Sequence, residues 1–280
     1  MYLADYHMHS SFSPDAADNT MTDMALAAIT AGLDEICFTD HIEPFQWGGL
    51  DGDEPVDWAT LPAAPVDWAA MTAQFDAAQR AVGDSIRLKL GVELGDAGWD
   101  FVHTEKLMAD APQLDFIIGS QHTLSKRFNS TDLYYFNPVD EREAEAGIAD
   151  YLEELQKLAN WGHFSVLGHL TLPLRYLNEM RGFQLSYDGH EAEVEDIFRT
   201  LIQSGRGIEL NTNRGNTPLP DARWLKLYRR MGGEIITLGT DAHSTKHVGC
   251  AVRERQQLLR ECGFQRFCTF ERMQPVWHEL

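Results

Sequence analysis

The chain has 280 residues, 44% hydrophobic and 24% charged, a composition that builds a full-sized core and excludes wholesale disorder. Its 43 Asp and Glu against 23 Lys and Arg give a formal net charge of −20. Such a surface repels polyphosphate and excludes long DNA or RNA as a bulk partner, while leaving room for metal cations or small substrates in a local site. The four cysteines (Cys37, Cys250, Cys262, Cys268) form no CxxC pair, as in a reduced compartment. No basic-then-apolar leader opens the chain, and no apolar run approaches the ~18 residues of a membrane span. The expectation is a cytoplasmic protein.

In chain order, a first short strand is predicted over Leu3 to Met8. Helical spacing of Met21, Met24, Ala28 and Ile29 follows, ending at Gly32, a helix-stop glycine. The next strand is Glu35 to Thr39. Residues 44–68 break the rhythm with four prolines and three tryptophans. A helix at 69–82 then leads to a strand at Ile86 to Leu94, and a helix at 100–110 to a strand at Leu114 to Gly119. A second irregular stretch, 123–139, carries Ser125, Lys126, Arg127, Asn129, Tyr134, Tyr135 and Pro138. Long loops of this kind in compact domains tend to be functional. Beyond it lie helices at 140–160, 190–204, 221–231 and 249–262. Between them fall strands at Phe164 to Gly168, Gly207 to Leu210 and Glu234 to Leu238. A weaker eighth strand falls near Phe267 to Phe270. Short apolar strands alternating with helices imply a parallel sheet covered on both sides. The length suits one α/β barrel of ~250 residues. No linker separates two cores, so residues 1–280 read as one domain.

The polar residues that follow the strands carry the chemistry. His7 and His9 follow the first, Asp40 and His41 the second, and Glu93 ends the third. His122, His169 and Asn211 follow the fourth, fifth and sixth, and Asp241 and His243 the seventh. Parallel strands bring these ends to one rim, where such folds place their sites. Six of the eleven histidines fall there; His103, His163, His190, His247 and His278 read as surface or cap residues. Glu93 sits between Val92 and Leu94 in an apolar strand, a costly place for a carboxylate unless it is paired or metal-bound. Imidazole and carboxylate ligands together suit Zn, Fe or Mn. The set is too large for one tetrahedral ion, so two or three clustered ions are expected. Clustered divalent ions favour hydrolysis at phosphorus.

The motifs Asp5-Tyr6-His7-Met8-His9-Ser10 with Phe12-Ser13-Pro14-Asp15, Phe38-Thr39-Asp40-His41, Gly91-Val92-Glu93-Leu94-Gly95, Ile118-Gly119-Ser120-Gln121-His122, Gly168-His169-Leu170 and Gly239-Thr240-Asp241-Ala242-His243 resemble, in order, those of the PHP (polymerase and histidinol phosphatase) superfamily. Within it the chain is most similar to the histidinol-phosphate phosphatases of histidine biosynthesis. The resemblance implies a distorted (βα)7 TIM-like barrel with outer helices and three divalent metal ions at its rim. It implies His7, His9, Glu93 and Asp241 around the first ion, and Glu93 bridging to a second held by His122 and His169. The third would be held by Asp15, His41 and His243; position 15 is His in some members. Arg175 and Arg214 match phosphate-binding positions, and guanidinium fits phosphate oxygens bidentately.

The activity implied is hydrolysis of L-histidinol phosphate, a small phosphorylated substrate, by a metal-bound hydroxide. Glu93, Asp241 and Asp40 are expected to serve catalysis, with Asp40 or a water protonating the leaving alkoxide. Arg175, Arg214, Asn211 and Glu43 are expected to bind substrate, Glu43 receiving its ammonium. Two departures stand out. Thr171 replaces a common Asp, removing a carboxylate that would orient His169, and Gln121 replaces an apolar residue. Alternative readings are a phosphoesterase for nucleotides or other small esters and a metal-binding regulatory module without activity. An amidohydrolase would normally need a bridging Lys, which no strand end supplies.

Overall fold

A computed structural model describes residues 1–44 and 66–280. Most of the Pro- and Trp-rich stretch lies outside the described residues. Seven strands form one parallel sheet in sequential order: β1 (Ala4–Asp5), β2 (Glu35–Ile42), β3 (Arg87–Gly95), β4 (Phe116–Ser120), β5 (Val166–Leu167), β6 (Gly207–Asn211) and β7 (Ile236–Gly239). The register runs Thr39↔Gly91, Glu93↔Ile118 and Leu167↔Ile208. The chain after β7 turns back onto the chain after β1. Tyr6 N donates to Leu238 O at 2.8 Å, Asp241 N to His7 O at 2.8 Å and His9 N to Ala242 O at 2.9 Å. These bonds nearly close the barrel, and they also set the two N-terminal histidines beside Asp241.

Seven helices fall where the apolar spacing places them, α1 (Met21–Ala31), α2 (Trp68–Val82), α3 (Phe101–Met108), α4 (Glu141–Trp161), α6 (Glu191–Gln203), α7 (Ala222–Arg230) and α8 (Val252–Glu261), and the short α5 (Leu172–Leu174) is an addition the spacing did not predict. Thr20 and Asp23 form a capping box on α1, and Gly32 ends that helix at φ +76°, a conformation glycine adopts without strain. Asp67, Asp100, Asp140 and Asp221 cap α2, α3, α4 and α7 with their side chains. Part of the acidic surplus is therefore helix-capping, where aspartate also meets the positive end of the helix dipole. α4 buries Ala144, Ile148, Tyr151, Leu155 and Leu158 at helical spacing and packs on α6.

The eighth strand is real but lies outside the barrel. β8 (Arg266–Glu271) pairs antiparallel with β9 (Gln274–Glu279) in a separate hairpin. It covers the end of the barrel where the strands begin. Cys268 Sγ meets Ile236 O, Arg272 N donates to Asp115 Oδ1 at 3.0 Å, and Phe270 packs on Phe116. The other end is left for the site. No described helix is long and apolar enough to cross a membrane.

Candidate metal centre

All nine sequence-predicted metal ligands converge on the rim. Glu93 stands at the centre, fully buried, and divides its two oxygens. Oε2 lies 3.1 Å from His7 Nε2 and 3.5 Å from His9 Nε2. Asp241 Oδ1 completes this set at 3.7 and 3.4 Å from the same two nitrogens. Oε1 lies 3.3 Å from His122 Nε2 and 3.0 Å from His169 Nε2, which are 3.4 Å from each other. Ligand atoms ~2.0–2.1 Å from one tetrahedral ion lie roughly 3.3 Å apart. Both sets have that spacing. His7 Nε2, His9 Nε2 and Glu93 Oε2 are buried and make no aligned hydrogen bond; they aim at a shared centre, which suits a cation between them. A third set lies nearer solvent: His243 Nε2 is 3.0 Å from Asp15 Oδ2, and His41 Nε2 is 3.6 Å from Asp15 Oδ1.

Outer partners fix the imidazoles. His7 Nδ1 donates to Glu209 Oε1 at 2.7 Å, His9 Nδ1 to Ser13 Oγ at 2.9 Å, and His243 Nδ1 to the Asp241 carbonyl at 3.0 Å. Each Nε2 is thereby left as the lone-pair nitrogen facing the centre. Asp241 holds its ligand position at φ +55°, a left-handed conformation uncommon outside glycine. Electrostatics follow the same geometry. Burial works against protonating His7, His41 and His122, but neighbouring carboxylates, Glu93 foremost, outweigh it and raise all three, His122 to about 9. Burial and the nearby His243 and His41 push His9 down to about 3. Burial opposes ionising Glu93 and Asp241, yet the surrounding histidines hold both well below the carboxylate range.

A cavity of about 660 Å³ opens over this rim. Its walls include Asp15, His41, His122, His169, Asp241 and His243, together with Arg175 and Arg214. Arg175 donates to Asp241 Oδ2 at 3.0 Å from a π-helical turn, Arg175–Met180, that continues α5. Arg214 sits at φ +53° in the turn after β6. The irregular 123–139 stretch supplies Asp132, Tyr134 and Tyr135 to the same cavity.

Three sequence expectations are corrected. Asp40 does not face the reacting centre. It is buried and accepts from Ser10 N, Ser10 Oγ and Ser13 Oγ at 2.6 to 2.8 Å, so it anchors the His9 loop and offers no proton to a leaving group. Asn211 is buried off the cavity; its Oδ1 accepts from Asn213 N at 2.9 Å and shapes the turn that carries Arg214. Glu43 lies behind the ligands, with Oε1 3.2 Å from His41 Nδ1 and 3.9 Å from His122 Nδ1, and is absent from the cavity wall. Thr171 gives His169 no side-chain support: His169 Nδ1 has no hydrogen-bond partner among the described residues. His278 lies on β9, stacked on Tyr2.

Sequence reasoning passed over Glu209. It is buried, bonds His7 Nδ1, and accepts from His169 N at 2.8 Å, joining the first two ligand sets. A side chain on Gly239 would collide with this carboxylate and with His7. The signal was present, because Gly207-Ile208-Glu209-Leu210 repeats the pattern of Gly91-Val92-Glu93-Leu94.

Among known proteins, the chain is similar to a histidinol-phosphatase of Lactococcus lactis subsp. lactis, 28% identical over 98% of this chain and 96% of that one. In fold it is similar to the crystal structure of histidinol phosphate phosphatase from the same organism, complexed with Zn, L-histidinol and phosphate. The TM-score is 0.77 at 24% identity, covering 98% of each chain. A putative histidinol phosphatase structure from Listeria monocytogenes follows with a TM-score of 0.74 at 17% identity, covering 90% of this chain and 99% of that one. The family model described as the PHP domain matches residues 5–213, which takes in every ligand motif up to the sixth strand, and the chain belongs to the PHP domain family.

Proposed function

We propose that the chain is a metal-dependent phosphomonoesterase that hydrolyses L-histidinol phosphate to L-histidinol and phosphate. The observation that carries this reading is the split of the Glu93 carboxylate between two ligand sets beside a cavity that also holds two arginines. The name of the Lactococcus relative and the ligands of its structure support the substrate. The donor chemistry fits three divalent ions of the Zn, Fe or Mn type: His7, His9, Glu93 and Asp241 for the first, Glu93, His122 and His169 for the second, Asp15, His41 and His243 for the third. Four free cysteines fit a reducing, cytoplasmic setting.

Bound ions supply Lewis acidity to phosphoryl oxygens and acidify water at neutral pH. The chain's own residues do the rest. Arg175 and Arg214 neutralise charge on the phosphoryl oxygens, Arg175 while it holds Asp241 in place. Glu209, Ser13 and the Asp241 carbonyl keep the imidazole lone pairs aimed inward. A phosphate dianion is drawn in by these local cations against a surface of net charge −20.

A phosphate-release panel on metal-analysed protein tests the reading. It compares L-histidinol phosphate, nucleoside monophosphates and p-nitrophenyl phosphate. The expected result is the highest kcat/KM on L-histidinol phosphate. Cleavage of the aryl ester with no such preference would reject the substrate and keep the phosphoesterase.

A further inference from the structure

The first two ligand sets share Glu93, but the chain supports them unequally. The first set is braced from outside. His7 Nδ1 donates to the buried Glu209 carboxylate at 2.7 Å. His9 Nδ1 donates to Ser13 Oγ at 2.9 Å, and that hydroxyl donates onward to Asp40 Oδ1 at 2.8 Å. Asp241 Oδ2 accepts from Arg175 at 3.0 Å, which leaves Oδ1 turned to the two imidazoles.

The second set lacks that bracing. Its two imidazoles, His122 and His169, each carry a buried Nδ1 with no hydrogen-bond partner among the described residues. Glu43 Oε1 stands 3.9 Å from His122 Nδ1, beyond hydrogen-bond reach. Glu209 meets His169 only through the backbone, accepting from its N at 2.8 Å, while the Glu209 charge is spent on the ring of His7. Glu93 adds to the imbalance. Its Oε2, on the side of the first set, makes no aligned hydrogen bond, whereas Oε1, on the side of the second, accepts from the buried Ser120 hydroxyl. A proton donated to a carboxylate oxygen draws on the electron density a cation would use. The second set is also the more open: His122 and His169 line the cavity, and His7 and His9 do not.

An imidazole that ligates through Nε2 carries its proton on Nδ1, and an acceptor there fixes the ring and raises its basicity. Such outer partners are worth ~10- to 100-fold in metal affinity. Repulsion between two neighbouring cations is the same whichever binds first, so it does not choose an order; the ligands do.

We propose that the two sites load in a fixed order: the His7, His9 and Asp241 side of Glu93 fills first and tightly, and the His122 and His169 side fills last and empties first. The concentration of free metal then sets the fully loaded fraction of the chain through the second side alone. This inference rests on the metal-dependent reading above and adds a regulation to it.

Zinc binding tests the order without any substrate. The zinc-loaded full chain is brought to one equivalent with a chelator and crystallised beside the fully loaded form. Anomalous scattering at the zinc edge then reports the occupancy of each site separately, so the third site does not enter the comparison. The first site is expected to stay filled while the second is largely empty, and chelator competition in solution is expected to separate their affinities ~10- to 100-fold. Thr171→Asp, which supplies a carboxylate two residues after His169, and Ser120→Ala, which frees Glu93 Oε1, are expected to raise occupancy of the second site at one equivalent. Glu209→Gln removes the charge on His7 Nδ1 and is expected to lower occupancy of the first. Equal filling of the two sites in wild type, or a second site filled ahead of the first, overturns the order. No gain at the second site in either Thr171→Asp or Ser120→Ala overturns its cause. A chain that takes up no zinc even in excess defeats the metal-dependent reading as well, whereas equal filling defeats this inference alone.

Discussion

Each end of the barrel buries a carboxylate, and the two have opposite company. At the rim, Glu93 meets the ring nitrogens of five histidines, His7, His9, His41, His122 and His169. At the base, Glu35 receives the hydroxyls of Tyr2 and Tyr6, and the Tyr6 oxygen in turn accepts from Phe270 N of the hairpin. Phenols are neutral donors with fixed protons near neutral pH, so they satisfy a buried oxygen permanently. Imidazoles can give up a proton and present a lone pair, so they satisfy a carboxylate only until a cation replaces the proton. The same burial problem is solved once for stability and once for exchange.

The largest effect expected from breaking this contrast is at Glu93. Glu93→Gln removes the charge from both ligand sets. It is expected to lower kcat/KM by ~10²–10³-fold or more, with loss of bound metal by elemental analysis. Full activity with full metal content would refute the bridging role.

A smaller effect should appear as a pH dependence confined to the rim. In metal-stripped protein, His7, His41 and His122 have raised pKa values, His122 reaching about 9. A histidine raised in the folded state binds its proton more tightly there than in the unfolded chain. Its stabilisation is complete below the unfolded pKa of ~6.5 and is lost as pH climbs toward 9. Stripped protein should therefore lose Tm between those values, and metal loading should release protons and tighten over the same range. At the base, burial lowers the pKa of His278, so its contribution has the opposite sign and is lost as pH falls. A Tm for stripped protein that is flat or rising from pH 6.5 to 9 would contradict the imidazole account.

The smallest change belongs to Glu35. Glu35→Ala leaves two phenol hydroxyls without their acceptor, a cost of ~1–3 kcal/mol. A Tm lowered by several degrees with kcat and metal content intact is the expected outcome; loss of metal would mean that the two ends are coupled.

Much of this molecule could be read in one dimension. Strand and helix order follow from local apolar periodicity and from caps such as Thr20 and Gly32, which depend on residues a few positions apart. The candidate ligand cluster was legible because parallel strands bring their ends to one rim, so His7, Glu93, His122 and Asp241 could be grouped from sequence position alone. The eighth strand was legible as a strand but not as a hairpin, since pairing partner and direction are not carried by a short apolar run.

What only the tertiary structure decided is the direction in which each polar atom faces. Asp40 and Asp132 are both single aspartates next to functional motifs. One is enclosed by Ser10 and Ser13, which stand 30 and 27 positions away in the chain. The other lines the cavity and accepts from the backbone N of Tyr134, two positions away. Glu209 repeats the setting of Glu93, yet it bonds the Nδ1 side of His7, 202 positions distant, while Glu93 faces the Nε2 side. Residue type and strand position fix which chemistry is possible at the rim. Barrel closure between β7 and β1, and the packing across it, fix which oxygen meets which nitrogen, because those partners meet only once the strands have been brought around.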